Sequence, residues 1–169
     1  MLVVVAYIDL FASVLIRQEE YLDALAIVPI ILLANLCLGI YNNLSIWYKL
    51  TDKTKYGMYI SIFGAIVTIL FNIIMIDKIG FMASAWATLI AYGSMMIISY
   101  IIGQKHYKVP YNIKQIAGYI ILASILSLIA FYDGFRGNYI IATALVLVFL
   151  AVVYIVEQKE LKRLLRKGS

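Results

Sequence analysis

Few side chains in the apolar stretches of this 169-residue sequence can do chemistry, and five stand out: Asp9, Asn35, Asn42, Asn43 and Asn72. A carboxylate or an amide in hydrocarbon must pair, face a hydrated cavity or lose its charge, so each is a candidate for a substrate or translocation pathway. Asp9 is the only acidic or basic residue well inside an apolar stretch. It lies about 10 Å along a helix from Ile16, deep for a short side chain. Two readings stand for it: a functional carboxylate that faces a cavity, pairs with a base or titrates, or a residue of a truncated or re-registered helix lying nearer an interface.

The three amides Asn35, Asn42 and Asn43 share one apolar stretch with Gly39, between Pro29 near its start and Trp47 and Tyr48 at its end. Amides offer both donors and acceptors, which suit sugar hydroxyls or headgroup oxygens, and interhelical hydrogen bonds would use them equally well. Asn72 ends a stripe of Ser61, Gly64, Ala65 and Thr68 at steps of three and four residues, opposite a wall of Ile, Leu and Phe. Ala83, Ala87 and Ala91 repeat the pattern in the next stretch. Small residues at this spacing let helix backbones approach, so packing competes with substrate lining for both stripes. The triplet Asn43-Leu44-Ser45 matches a glycosylation acceptor only by chance, since it sits inside an apolar stretch. Trp47 and Tyr48 read as an interfacial aromatic belt.

Constellations for covalent chemistry are missing from the sequence. The single histidine, His106, sits between Lys105 and Tyr107 in a basic segment, so neither a zinc cluster nor a Ser-His-Asp set can be assembled. Cys37 is alone and reads as a small packing residue. Glu19, Glu20 and Asp23 are close together in a polar gap, which reads as a surface charge run. The expectation is a protein that is not an enzyme, with no catalytic residue, metal or cofactor.

What must position these amides is a set of membrane helices. A hydrophobic fraction of 64%, a mean hydropathy of +0.96 and a charged fraction of 14% leave too little polar surface to cover a soluble fold. Six apolar spans are read at residues 1–16, 25–48, 56–76, 81–102, 116–132 and 139–156, with a basic tail at 157–169. The fold class expected is all-α, a polytopic membrane helix bundle. Cations separate the gaps into two kinds: Arg17, Lys78 and Arg136 stand alone in alternate gaps, and the other eleven of the fourteen fill the remaining gaps and the tail. Short cytoplasmic loops retain Lys and Arg, which places both termini in the cytoplasm. The net charge of +5 is absorbed by topology and anionic lipid, so membrane lipid is an expected partner and nucleic acid is not.

Short connections predict three re-entering pairs of antiparallel neighbours. Asp77-Lys78-Ile79-Gly80 reads as a tight hairpin, residues 133–138 as a breaker-rich turn, and 103–112 as the longest loop, with Pro110 before the fifth span. The tail, with Leu161, Leu164 and Leu165 among five cations, is expected to continue the last helix and then lie on the inner membrane surface. The first span offers sixteen residues where a crossing needs about 20. It has no basic flank or cleavage site of a signal peptide, and the expectation is a C-terminal part of a longer membrane protein.

The run Leu33-Ala34-Asn35 through Asn42-Asn43-Leu44-Ser45-Ile46-Trp47-Tyr48-Lys49-Leu50-Thr51 resembles the late helices of bacterial polysaccharide flippases, members of the multidrug/oligosaccharidyl-lipid/polysaccharide exporter superfamily. Residues from Gly64 to Asn72 and from Gly80 to Thr88 resemble the helix pair that follows. Similarity covers most of 17–105. The resemblance implies the C-terminal portion of a two-lobe transporter of twelve to fourteen helices in the bacterial inner membrane. It would move undecaprenyl-pyrophosphate-linked oligosaccharide, of O-antigen type in lipopolysaccharide synthesis, by alternating access. A first lobe and its basic cavity residues are missing, so the partner is either that N-terminal lobe or a second copy in a homodimer. No family site residue is carried over. Three other classes stay open: a multidrug or small-solute antiporter of the same superfamily, with Asp9 in the coupling role, an integral-membrane glycan-modifying enzyme, and a bare scaffold that needs neither coupling nor catalytic groups.

Overall fold

The computed structural model describes residues 1–10, 23–106, 112–131 and 138–167. Among the described residues every regular element is helical, and the chain is an all-α polytopic bundle. In order these are α1 (Leu2–Ala6), a 3-10 turn (Asp23–Ile27), α2 (Val28–Leu44), α3 (Ile46–Leu50), α4 (Lys55–Ile79), α5 (Met82–His106), α6 (Ile113–Phe131) and α7 (Tyr139–Lys167). Among the described residues five segments are long and apolar enough to cross a membrane: Leu25–Leu50, Lys55–Ile79, Met82–His106, Lys114–Phe131 and Tyr139–Gln158. They correspond to the second to sixth expected spans.

The chain divides into a central unit, Ala24–Tyr111, and a second unit made of Met1–Asp23 with Asn112–Ser169. In the central unit Pro29 occupies the first turn of α2, where its missing N–H costs no helical hydrogen bond. At Ser45 the helix tightens. The Ser45 hydroxyl donates to Asn42 O at 2.6 Å, and its N–H reaches both Tyr41 O and Asn42 O. The chain re-enters helix as α3, ends where Thr51 donates N–H and hydroxyl to Trp47 O, and reverses through Asp52 at φ 55°. Aspartate is one of the few side chains that tolerate that left-handed conformation.

Asp77 and Lys78, expected in a hairpin, are the last turn of α4, and the reversal is confined to Gly80 at φ 54° and Phe81. Nothing in the Asp-Lys-Ile sequence forbids helix; only the glycine supplies the positive φ. The residues read as the start of the fourth loop are likewise helical as far as His106.

Packing in this unit departs from the expected succession of neighbours. α5 makes the extensive contacts with both α2 and α4, and it stands between them. The cause is a row at strict four-residue spacing, Ala83, Ala87, Ala91, Met95, Ser99 and Gly103, every member of which is buried. Four residues advance about 400° at 3.6 residues per turn, so the row winds about 40° around the helix at each step and serves more than one neighbour. Its small side chains allow close approach, and the core closes on Tyr41 of α2, Ile60 of α4 and Met95 of α5. On α4 the expected polar stripe is divided: Gly64 is buried and Thr68 and Asn72 half-buried, but Ser61 and Ala65 are exposed. The wall of Ile62, Phe63, Ile66, Ile69, Leu70 and Ile73 is exposed, as suits a helix face turned to lipid.

In the second unit α1, α6 and α7 pack pairwise. The expected first span is interrupted: α1 is five residues, Tyr7 leaves helical geometry at φ −111° and ψ 24°, and residues 8–10 are helical again. The rest of that span lies outside the described residues. Tyr7 stacks on Tyr139 at 6.2 Å and shares a 2.7 Å hydrogen bond with Thr143, which fixes the break against α7. Asn138 caps α7, its Oδ1 accepting from the N–H groups of Ile140 and Ile141. α7 then continues for 29 residues to Lys167. At 1.5 Å per residue that is about 43 Å, longer than a hydrocarbon core of about 30 Å. The basic tail is thus a direct continuation of the last helix.

Candidate functional site

The amides of α2 lie on the face turned away from its contacts with α5. Ala34 and Tyr41 are buried, whereas Asn35, Gly39, Asn42 and Asn43 are exposed. Positions 35, 39, 42 and 43 fall on one side of a 3.6-residue helix, and Ile31 and Ile46 extend the same exposed strip at either end. Space over the strip is open: a β-carbon built on Gly39 meets no atom within 4 Å.

Hydrogen bonding separates the three amides. Asn43 donates from Nδ2 to Gly39 O at 3.2 Å, a bond within its own helix. Neither Asn35 nor Asn42 has a side-chain partner among the described residues. Measured from Trp47 at 1.5 Å per residue, Asn42 lies about 8 Å and Asn35 about 18 Å along the helix into the membrane. An amide at that depth without a partner costs several kcal/mol in hydrocarbon, so the strip is built to meet water, a polar ligand or another polar surface.

Asn72 is placed differently. Its Nδ2 donates to Thr68 O and its Oδ1 accepts from the Ser84 hydroxyl of α5, both at 2.9 Å. The α4 amide therefore joins α4 to α5 and is not part of the α2 strip. Asp9 belongs to the second unit, in the helical turn after the break at Tyr7. Within the central unit the structure brings together Asn35, Asn42 and Asn43 and sets Asn72 apart from them. Among the described residues no group of three or more His, Cys, Asp or Glu is placed to hold a metal ion.

One cluster was not legible in the sequence. Trp47 and Tyr48, expected as an interfacial aromatic belt, are each only 6% exposed. Trp47 stacks on His106 with ring centres 5.1 Å apart and planes 13° from parallel, and Tyr56 leans on both rings. His106 Nδ1 lies 3.1 Å from Ile102 O, a carbonyl that only accepts, so that nitrogen carries the proton. Nε2 and the Tyr56 hydroxyl share a hydrogen bond at 3.3 Å. Glycines make the fit: a β-carbon on Gly103 would stand 3.0 Å from Trp47 Nε1, and one on Gly57 would stand 2.8 Å from the Tyr48 ring. The Trp47 N–H is buried without a partner among the described residues. The cluster locks the ends of α3, α4 and α5 together. Its partners are some fifty residues apart in the chain, a separation that periodicity does not report.

No protein-family model, curated protein or solved structure matches this chain.

Proposed function

We propose that this chain is the C-terminal lobe of a bacterial flippase for undecaprenyl-pyrophosphate-linked oligosaccharide, and that the α2 strip of Asn35, Asn42 and Asn43 is its contribution to the sugar pathway. The reading starts from the resemblance of residues 33–51 and 64–88 to such transporters. The observation that carries it is the exposed amide face of α2, with two amides unpartnered at hydrocarbon depth beside an open glycine.

A polar oligosaccharide crossing a bilayer needs a wall that exchanges hydrogen bonds without holding any sugar tightly. Amides do this because each presents donors and an acceptor and carries no charge that would trap the ligand. In alternating access the headgroup would move along such a wall in a hydrated cleft, as one lobe rocks against the other and the lipid tail stays in the bilayer. No bond is made or broken. The opposite wall would come from an N-terminal lobe, and the protein would lie in the inner membrane with both termini in the cytoplasm.

Site-directed photocrosslinking in cells that make the glycan tests the reading. A photoreactive residue at Asn35 or Asn42 should capture lipid-linked oligosaccharide, and one at Ile66, on the apolar wall of α4, should capture phospholipid only. Equal glycan capture at Ile66, or none at either asparagine, would refute the assignment.

A further inference from the structure

The end of the central unit at which α3 and α5 finish and α4 begins carries an excess of cations. Lys49 lies in α3, Lys53 in the turn, Lys55 opens α4 and Lys105 precedes His106 at the end of α5. All four are exposed, and none makes an ion pair among the described residues. A single carboxylate, Asp52, stands among them in the sequence.

In the chain these lysines belong to two gaps separated by a helical hairpin, and the aromatic cluster brings the gaps together. The Trp47 to His106 stack at 5.1 Å ties the Lys49 segment to Lys105, and the Tyr56 to His106 hydrogen bond at 3.3 Å ties Lys55 to the same point. Each lysine lies within two residues of a ring in this cluster or, for Lys53, in the turn between them. The rings are held by backbone-tight fits at Gly57 and Gly103, so the positions from which the lysines extend are fixed even though their stems are free.

We propose that this rim holds the headgroup of an anionic membrane lipid, with Lys49, Lys55 and Lys105 meeting its phosphate. Two features select a lipid over a dissolved anion. The lysines directly adjoin membrane-spanning segments that end at Leu50, start at Lys55 and end at His106, which sets them at headgroup height. A lysine stem lies along apolar surface while its ammonium reaches the polar layer. Topology alone asks only that cations be on this side of the membrane; it does not require that two gaps converge on one rim. The inference does not depend on the glycan reading.

The test uses the full chain with Trp86→Phe, which leaves Trp47 as the sole tryptophan and a reporter inside the cluster. In micelles, brominated phosphatidylglycerol should quench Trp47 saturably, at an affinity about tenfold above that of brominated phosphatidylcholine. The preference should fall to within about twofold in Lys49→Gln/Lys55→Gln/Lys105→Gln, and it should persist in the charge-matched tail variant Lys159→Gln/Lys162→Gln/Lys167→Gln. An unchanged Trp47 emission maximum in each variant without lipid verifies that the cluster still folds. Equal quenching by the two lipids, a preference that survives the rim substitutions, loss of the preference in the tail variant, or full displacement by inorganic pyrophosphate would each overturn the proposal.

Discussion

Met95 of α5 fills a notch at Gly64 of α4: a β-carbon on that glycine would stand 2.9 Å from Met95 Cγ and 3.5 Å from its Cε, and would collide with the sulfur. Met95 is itself buried against Tyr41 and Ile60, so it has no free direction in which to retreat. Two opposing effects meet at this position. Replacing glycine in a helix gains up to about 1 kcal/mol of propensity with alanine and less with a β-branched residue. Overpacking a filled site costs about 1 to 3 kcal/mol.

Gly64→Val should therefore destabilise the central unit by about 1 to 3 kcal/mol. Met95→Ala in the same chain should recover much of the loss, because it empties the volume that the valine enters. Thermal or denaturant unfolding of the purified chain in detergent, followed by circular dichroism, measures both. A Gly64→Val chain as stable as the parent would show that α4 and α5 do not meet at this notch.

The hydrogen bond between Asn72 and Ser84 is the second tie between these helices, and both residues belong to segments long and apolar enough to cross a membrane. Interhelical side-chain bonds in membranes contribute about 0.6 kcal/mol on average and reach about 1.7 kcal/mol. Asn72→Leu and Ser84→Ala should each cost an amount in that range, and the double variant should cost less than the sum of the two. Strict additivity in this double-mutant cycle would mean that the two side chains do not interact.

Helix existence and type were legible because apolar runs of twenty residues can satisfy their backbone only as helix in hydrocarbon. Helix ends were legible less well. Asp77 and Lys78 look like a turn by composition, yet a helix that has left the hydrocarbon solvates such side chains readily, and only Gly80 forces the reversal. Neighbour relations were legible only in part: the short connections pointed to the α4–α5 and α6–α7 pairs, which do pack, but that α5 stands between α2 and α4 depends on six buried residues at four-residue spacing, of which Met95 and Ser99 are unremarkable by type. The amide strip of α2 was visible as a pattern, but its exposure was not. Asn43 and Asn72 carry the same side chain, and one bonds within its helix while the other joins two helices. Local sequence does not encode that difference.

The distribution of cations makes a prediction about orientation. Single cysteines at Lys53, Lys108 and Lys162 should be shielded from a membrane-impermeant thiol reagent in intact cells, in a chain whose Cys37 has been replaced by Ala. Cysteines at Glu20 and Asn138 should label. Labelling of the first set without the second would invert the whole topology.

The last prediction separates a lobe from a complete transporter. Alternating access needs two bodies that move about one site, and the α2 strip as it stands is a wall with nothing bonded to Asn35 or Asn42 among the described residues. This chain alone, reconstituted in vesicles with a fluorescent lipid-linked oligosaccharide, should leave the lipid in its original leaflet. Pairing of two copies through their α2 faces is the competing arrangement, because asparagine amides complement one another and could form both walls from one gene product. Asn35→Leu and Asn42→Leu distinguish the outcomes. If the chain alone is inert, the substitutions change nothing in the vesicle assay but abolish glycan capture in cells. If the chain flips the lipid and loses that activity on either substitution, the strip is a pathway between two copies, and the requirement for a separate lobe is wrong.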